Sequence, residues 1–341
     1  MGVELGDIVI KKEIEFSELN GKTVGVDAFN TLYQFLSIIR QKDGTPLMDS
    51  KGNITSHLSG LFYRNIRLMD EGIRLVYVFD GKPPSWKEQT VSERAETKRN
   101  AMEKWAKALK EGRLDEARKY AQATGKVTPE IVEESKELLN AMGIPCIQAI
   151  SEGEAEVAYL VSKGRLDYAA SQDYDSLLFG APVLLRNLTV SGRRKLPGRD
   201  RYVEVHPEVI MLKDTLDMLG IDRRKLIWIG LLTGTDFNEG VKGIGPKKGL
   251  KLVKECTTLK EVHEKSMAPE DYELWKSIEE FFLNPEVSDA NIVFGKMDKE
   301  KVMDILCKRH DFSEERISTT IDEYIKKTAE TSGQEKLGRW F

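Results

Sequence analysis

The sequence predicts an α/β fold: a mostly parallel central sheet flanked by helices. Two observations carry that prediction. Short β-rich apolar runs alternate with stretches of helical periodicity, as βαβ units require. The runs also end on acid. TVGVD closes on Asp27, RLVYVFD on Asp80, the run into SEGEAE on Glu152 and Glu154, and LDYAASQDYD on Asp173 and Asp175. A fifth acidic point, Asp236, follows IWIGLLTGTD. In open α/β sheets, ligands sit beyond the carboxyl ends of the strands. Acids after successive units therefore bring negative charge to one sheet edge. Such a crowd repels itself unless cations hold it together. Mg²⁺, which prefers oxygen ligands and often bridges to phosphate, is the natural cation.

The elements follow in order. Residues 23–27 read as a buried strand and 29–41 as a helix. A helix over 55–71 begins at a Thr55 cap, and strand 74–79 follows. Pro83-Pro84 then breaks the chain, since neither proline can donate a backbone hydrogen bond. Residues 85–126 are rich in Lys, Arg, Glu and Ala, with helical spacing at Trp105, Leu109 and Leu114. They read as a helical insertion projecting from the sheet with one face solvated. The α/β pattern resumes with helix 129–142, strand 144–148, helix 153–163 and strand 167–171. Residues 182–205 read as β-hairpins, with turn signals at Ser191-Gly192 and Pro197-Gly198. From 207 the chain is mostly helical: 207–219, 222–233, a glycine-rich turn at 240–249, and further helices to about 328. The stretch TAETSGQEKLGRWF is polar and is expected to be disordered until its final residues.

With 341 residues the chain can bury a large core or two. A net charge of −4 makes it no basic protein as a whole, although a carboxylate-rich site can mask basic surface elsewhere. Cys146, Cys256 and Cys307 are scattered and odd in number, so they read as reduced, intracellular core residues rather than a disulfide framework. No stretch approaches a membrane span of roughly 20 apolar residues. No signal-peptide pattern opens the chain. MGVELG is no myristoylation site, because Gly6 stands where Ser or Thr is wanted.

Each motif has a plainer reading beside the chemical one. Asp27 and Asp80 could simply cap a helix or start a turn. A haloacid-dehalogenase-type phosphatase also places Asp at a strand end, but needs a second Asp where Phe29 stands. Ser151 and Glu154 fit S-x-x-E, a capping box, and Glu156 extends an ordinary acidic first turn. Asp173-Tyr174-Asp175 in an extended segment would point both carboxylates the same way, unless it is only a charged loop. Gly240 to Gly249 (GVKGIGPKKG) is the most specific motif. A G-h-G turn exposes N–H groups at a helix start, where an anion can bind. Pro246 suits the first helical turn, and Lys247, Lys248 and Lys251 supply charge. This helix–hairpin–helix pattern grips a duplex backbone without reading sequence. In the insertion, Lys87, Arg94, Lys98 and Arg99 alternate with Glu88, Glu93 and Glu96, as in a solvated helix. Tyr33 and Phe35 could stack on an unpaired base or belong to the core. Trp340 and Phe341 anchor either to a partner or to the chain's own body.

Taken together, the blocks VDAFNTLYQFL, GLFYRNIRLM, VYVFDGKPP, SEGEAE, SQDYDSLLFG, LLTGTDFNEGVKGIGPKKGL and FSEERI resemble the flap endonucleases of the XPG-type structure-specific 5′ nuclease family, in that family's order. The ending at Trp340-Phe341 is similar to archaeal members. The resemblance implies a Mg²⁺-dependent phosphodiester hydrolase that cuts 5′ flaps, with 5′–3′ exonuclease activity, in Okazaki fragment maturation and DNA repair. It implies a two-metal site of Asp27, Asp80, Glu152, Glu154, Asp173, Asp175 and Asp236, where Mn²⁺ can substitute. Lys87 and Arg94 match its catalytic basic residues at the foot of a helical arch over about 82–126. Gly2, Tyr33, Arg40, Gly243, Gly245, Lys247 and Lys248 match its DNA contacts, and the turn at 240–249 matches a helix–two-turn–helix that also takes K⁺. Gln334, Leu337, Trp340 and Phe341 look like a box for the sliding clamp PCNA. The implied organisation is one nuclease domain over 1–330. Its N-terminal region spans about 1–125, its internal region 126–330, with the helix–hairpin–helix at about 228–255. A clamp-binding tail follows over 331–341. A cytoplasmic monomer acting on branched DNA is expected. Two readings from other classes stay open: a non-catalytic junction-binding scaffold and a Mg²⁺ phosphatase for small molecules. A sister nuclease acting on bubbles or four-way junctions is the nearest competitor.

Overall fold

Apolar strands buried on both faces need helices above and below them, and that requirement shapes this molecule. The computed structural model describes residues 2–82, 84, 100–108, 110–189, 192–195 and 202–338. Its strands are β1 (Lys12–Glu13), β2 (Thr23–Asp27), β3 (Arg74–Phe79), β4 (Cys146–Gln148), β5 (Tyr168–Ala170), β6 (Val183–Arg186), β7 (Gly192–Lys195), β8 (Tyr202–Val205) and β9 (Glu208–Met211). The main sheet has seven strands in the order β1-β9-β6-β5-β2-β3-β4. The five from β6 to β4 are parallel. β9 and β1 close one edge in antiparallel fashion.

The α/β prediction therefore holds. From β2 the chain winds outward through β3 to β4. It then returns to β5 on the other side of β2 and winds through β6. The reversal leaves a crevice at the carboxyl ends of β2 and β5, the place where such sheets bind ligands.

Side-chain alternation divides the core between the two faces of the sheet. On one face, Val76 and Val78 of β3 pack with the helices Gly153–Ser162 and Arg223–Thr233. On the other, Leu75, Tyr77 and Phe79 pack with the helices Ala28–Ile38, Ser56–Asp70 and Pro129–Ala141. In β2, Gly25 lets the helix Gly153–Ser162 approach closely. A Cβ there would stand 2.6 Å from Leu166 Cδ1 and 2.9 Å from Val157 Cγ1.

Several expectations need correction. Thr55 occupies the N-cap position of its helix, but its side chain makes no capping bond. Val183–Arg186 is not half of a hairpin; it pairs in parallel with β5 in the main sheet. Only β7 and β8 form a separate antiparallel pair, and the expected turns at Ser191-Gly192 and Pro197-Gly198 fall wholly or partly outside the described residues. Residues 208–211 form a strand before the helix Leu212–Leu219, because Val209 and Ile210 complete the sheet beside β6. The last helix runs Glu314–Gly338, well past 328. Its Ala, Glu, Gln and Lys residues are good helix formers, and they carry the helix through a polar stretch. In the insertion the described parts are helical at 100–108 and Leu114–Ala121. As expected of an insertion with one face solvated, the other face packs inward: Ala108, Ala117 and Ala121 are buried, and Trp105 Nε1 donates to the Asp43 carbonyl at 3.4 Å.

Glu156 lies in the first turn of its helix as expected, but it is buried there and accepts hydrogen bonds from Ser288 N (2.9 Å) and Ser288 Oγ (2.6 Å). That bond ties the 284–298 segment across the back of the helix Gly153–Ser162. Removing the acceptor leaves two donors unmet, so Glu156→Ala should lower unfolding free energy by about 2 kcal/mol. Urea denaturation followed by circular dichroism measures this. An unchanged midpoint would show that the tether contributes nothing.

Candidate active site

The acids predicted at the strand ends do share one edge. Asp27 is the last residue of β2 and the N-cap of the helix Ala28–Ile38, and it accepts a bond from Asn30 N at 3.1 Å. Capping and clustering are thus compatible for this residue. Asp80 follows β3, and its Oδ1 accepts from Gly153 N at 2.7 Å. Gly153 is required by this approach: a Cβ would stand 2.9 Å from Asp80 Oδ1 and 3.1 Å from the Val78 carbonyl oxygen. Asp80 and the helix Gly153–Ser162 are thereby locked together.

The capping box that the spacing of Ser151 and Glu154 would allow does not form. Glu152 is the N-cap residue and makes no side-chain cap bond. Glu154 turns away from its own backbone and accepts from Ser171 Oγ (2.8 Å) and Ser176 Oγ (3.2 Å) on the segment after β5. That segment is not extended through Asp173-Tyr174-Asp175. Tyr174 has φ −92° and ψ 0°, and Asp175 opens the short helix Asp175–Leu178. Asp173 Oδ2 accepts from Asn30 Nδ2 at 2.7 Å, which joins the ends of β5 and β2 across the crevice. Asp175 accepts from Val3 N, at 3.2 Å to its nearer oxygen. The N-terminal segment thus lies in the site. A Cβ on Gly2 would stand 2.4 Å from Asp173 Cβ and from Asp175 Oδ2.

Electrostatics shows how closely the acids associate. Burial pushes the Asp27 carboxyl well above its ordinary range, and Asp80, Asp173 and Glu152 push it further against the opposing Asn30 bond. Burial does the same to Glu154, followed by Asp175, Asp27 and Asp173. It does so again to Asp175, followed by Asp236 and Asp173. These repulsions link all seven acids into one group. No three His, Cys, Asp or Glu side chains close around one ion-sized point among the described residues. Instead, Asp27, Glu154, Asp173 and Asp175 rest on neutral donors. The donor set is all oxygen and strongly anionic, which suits hard divalent cations such as Mg²⁺.

Asp236 arrives from another direction. It sits in a turn closed by Thr235 N to the Asn238 carbonyl at 3.0 Å and by Asn238 Nδ2 to the Leu231 carbonyl at 2.8 Å. A few residues on, Gly240 and Gly243 take φ +77° and +85°, the left-handed region that favours glycine. Gly245 caps the helix Pro246–Lys254 without a side chain, and Pro246 occupies its first turn. The N–H groups of Lys247 and Lys248 at that helix start have no side-chain cap, as anion binding requires. Lys247 Nζ lies 3.3 Å from Asp7 Oδ2, and Lys248 Nζ donates to the Gly243 carbonyl at 2.9 Å. Both lysines are exposed.

The remaining predicted residues divide. Tyr33 is exposed, whereas Phe35 belongs to the core. Arg40 is half-buried, with its guanidinium on the carbonyls of Leu36 (2.7 Å) and Gly44 (2.9 Å). Lys87, Arg94, Trp340 and Phe341 lie outside the described residues, and Gln334 and Leu337 lie on the last helix. Sequence reasoning missed Asn30, Ser171, Ser176 and the Gly153 N–H. Asn30 had a usable signal, since it stands three residues after an acid that starts a helix.

An XPG N-terminal domain is matched over residues 3–101 and an XPG I-region over 143–236. The chain is 52% identical over 343 residues to flap endonuclease 1 of Pyrococcus furiosus, covering 100% of this chain and 99% of that protein. It is 50% identical over 349 residues to flap endonuclease 1 of Methanococcoides burtonii, covering both chains fully. The fold is similar to that of flap endonuclease-1 from Methanococcus jannaschii, with a TM-score of 0.76 at 39% identity over 97% of this chain and 100% of that one. The catalytic core of Rad2 has the same fold, with a TM-score of 0.69 at 24% identity over 95% of this chain and 100% of that one.

The raised carboxyls have a measurable consequence. Each holds its proton longer in the folded chain than in the unfolded one. Stability contributed at low pH is therefore lost as pH rises from the ordinary carboxylate range, near about 4, through the raised values. A bound divalent cation offsets that loss. The melting temperature in Mg²⁺ should exceed that in EDTA by a margin that widens with pH. Calorimetry from about pH 5 to pH 8 tests this. His57, whose pKa burial pushes down, contributes to both curves and cancels in the difference. A margin independent of pH would separate cation binding from these acids.

Proposed function

The chain belongs to the archaeal flap endonucleases of the XPG family, and from that premise we propose how its own residues carry out the reaction. It is a structure-specific flap nuclease. We assign it Mg²⁺-dependent hydrolysis of a phosphodiester near a single-strand/double-strand junction of a 5′ flap, with 5′–3′ exonuclease activity. Okazaki fragment maturation and repair are the processes such an activity serves. The observation that carries this reading is the meeting of Asp27, Asp80, Glu152, Glu154, Asp173, Asp175 and Asp236 at the carboxyl edge of the sheet.

The seven acids are the groups that would hold two Mg²⁺. Bound there, the cations would polarise the scissile phosphate, favour ionisation of the attacking water and offset charge on the leaving oxygen. The protein's part is positional. Asn30 holds Asp173 toward Asp27, Gly153 N holds Asp80, and Ser171 and Ser176 hold Glu154. The turn at 240–249 offers backbone N–H groups and the charges of Lys247, Lys248 and Lys251 to a duplex phosphate. K⁺ is assigned to the same turn. Tyr33, exposed on the helix Ala28–Ile38, offers a face for an unpaired base. Lys87 and Arg94 are assigned to the scissile phosphate, where cationic donors stabilise developing charge. Gln334, Leu337, Trp340 and Phe341 are assigned to a sliding clamp.

Incubation with a 5′-labelled double-flap DNA, beside a bubble and a four-way junction, tests the substrate. Cutting at the flap base with Mg²⁺ and none with EDTA is expected. A preference for the bubble or junction would move the chain to a sister activity. Asp80→Ala and Asp173→Ala should each lower the cleavage rate by at least about a thousandfold while leaving flap affinity within a few-fold. Full activity in either variant would remove the metal assignment. Truncation before Gln334 should preserve flap cleavage and abolish stimulation by the clamp. Equal stimulation of the truncated enzyme would overturn the tail assignment.

A further inference from the structure

Tyr174 separates the two acids Asp173 and Asp175, yet its own contacts run to the neighbouring strand. Its side chain is buried. Arg186 engages it in two ways. The guanidinium carbon lies 4.2 Å from the ring centroid, and Nη1 donates to the Tyr174 hydroxyl at 2.6 Å. Arg186 Nε also donates to the Gln172 carbonyl at 3.1 Å. One guanidinium therefore grips the residue before Asp173 and the residue after it.

Arg186 is itself well anchored. It is the last residue of β6, and it lies opposite Glu208 of β9 in the antiparallel register. Its Nη1 lies 3.3 Å from Glu208 Oε2. Two more contacts confine the tyrosine. Lys11 Nζ lies 5.8 Å from the ring centroid, and the Gly6 backbone passes so near the Tyr174 hydroxyl that a Cβ there would stand only 3.0 Å from it. The tie has a reason. β5 ends at Ala170 and the next helix begins at Asp175. The intervening backbone has left the sheet ladder, so its conformation must be set by side chains. Ser171 and Asn30 supply part of that setting. Arg186 supplies the part that comes from the neighbouring strands.

We infer that Arg186, acting through Tyr174 and the Gln172 carbonyl, is a positioning residue that sets the spacing of Asp173 and Asp175 and so tunes which divalent cation the site accepts. The inference rests on the reading of these acids as the cation site. Mg²⁺ demands near-ideal octahedral geometry, whereas cations with less rigid demands tolerate displaced ligands. Mn²⁺ also binds most N/O sites at the weak end of the divalent series, so it probes geometry without overwhelming it. Loosening the acid pair should therefore weaken Mg²⁺ more than Mn²⁺. Arg186→Lys keeps the charge and loses the fork that reaches two acceptors at once. Tyr174→Phe keeps the ring and loses the hydroxyl.

Isothermal titration of the full-length protein with Mg²⁺ and with Mn²⁺ tests the idea, with the melting temperature in EDTA as a control on folding. In Arg186→Lys the Mg²⁺ dissociation constant should rise roughly 10–100-fold, the range for groups that orient metal ligands, with a clearly smaller rise for Mn²⁺. Tyr174→Phe should move in the same direction by less. If Arg186→Lys binds Mg²⁺ as tightly as the parent, or weakens both cations equally, the positioning role is wrong. If the parent protein itself binds neither cation, the cation-site reading fails instead.

Discussion

Mutual repulsion among acids at one sheet edge is the constraint on which the rest of this structure depends. Like charges taken partly out of water raise one another's pKa, and each unit of that shift is a cost to the folded chain. The cost must be met by something remote from the acids. Here it is met by strands buried on both faces. β3 contributes Val76 and Val78 to one half of the core and Leu75, Tyr77 and Phe79 to the other. Asp80 then leaves that strand already committed to its place. β2 does the same for Asp27, and Gly25 keeps the helix that carries Glu154 close against it. Hydrophobic burial thus supplies the force that holds negative charges together against their own field.

The groups that hold the acids are as informative as the acids. Asp27 takes a backbone N–H, Glu154 takes two serine hydroxyls, Asp173 takes an asparagine amide and Asp175 takes a backbone N–H. Each of these hydrogen-bond donors is neutral, although the chain's N-terminal charge also opposes the rise of the Asp175 pKa. A lysine or arginine would neutralise a carboxylate and compete with a cation for it. Neutral donors orient the oxygen and leave its charge available. Arg186 follows the same logic at one remove: its charge is directed to Glu208, Tyr174 and a carbonyl rather than to the acids on either side of Tyr174.

Strand identity and order of charge were readable because both follow from local pattern. The span 74–79 matched the observed strand end to end, and 23–27 did likewise. What failed required knowledge of partners. Val183–Arg186 and Glu208–Met211 have too little length to declare a sheet alone; each is a strand because the other lies beside it. Ser151 and Glu154 satisfied a local rule for capping, yet Glu154 is drawn to Ser171 and Ser176, residues whose nearness no spacing reveals. Asp173 and Asp175 were expected to align by extended alternation, but a helical turn at Tyr174 places them. The group of acids was visible, whereas the mechanism of its assembly was not. The family resemblance implied the set of acids and was silent on the donors that orient them.

The residue that completes the acid group, Asp236, and the turn suited to a duplex backbone lie on one short stretch of chain. On either side of Asp236, Gly234 and Gly240 approach so closely that a Cβ on Gly240 would stand 2.4 Å from Gly234 N. Asn238 fastens the same turn to the carbonyl of Leu231, a buried residue of the helix Arg223–Thr233. Val241 N returns to the carbonyl of Leu232. The path from acid to turn therefore contains no free loop. Where binding depends on phosphates rather than base identity, register must come from fixed distances within the protein. On the proposed assignments, a rigid link between the turn and the acids would convert the position of a junction into the position of a cleavage.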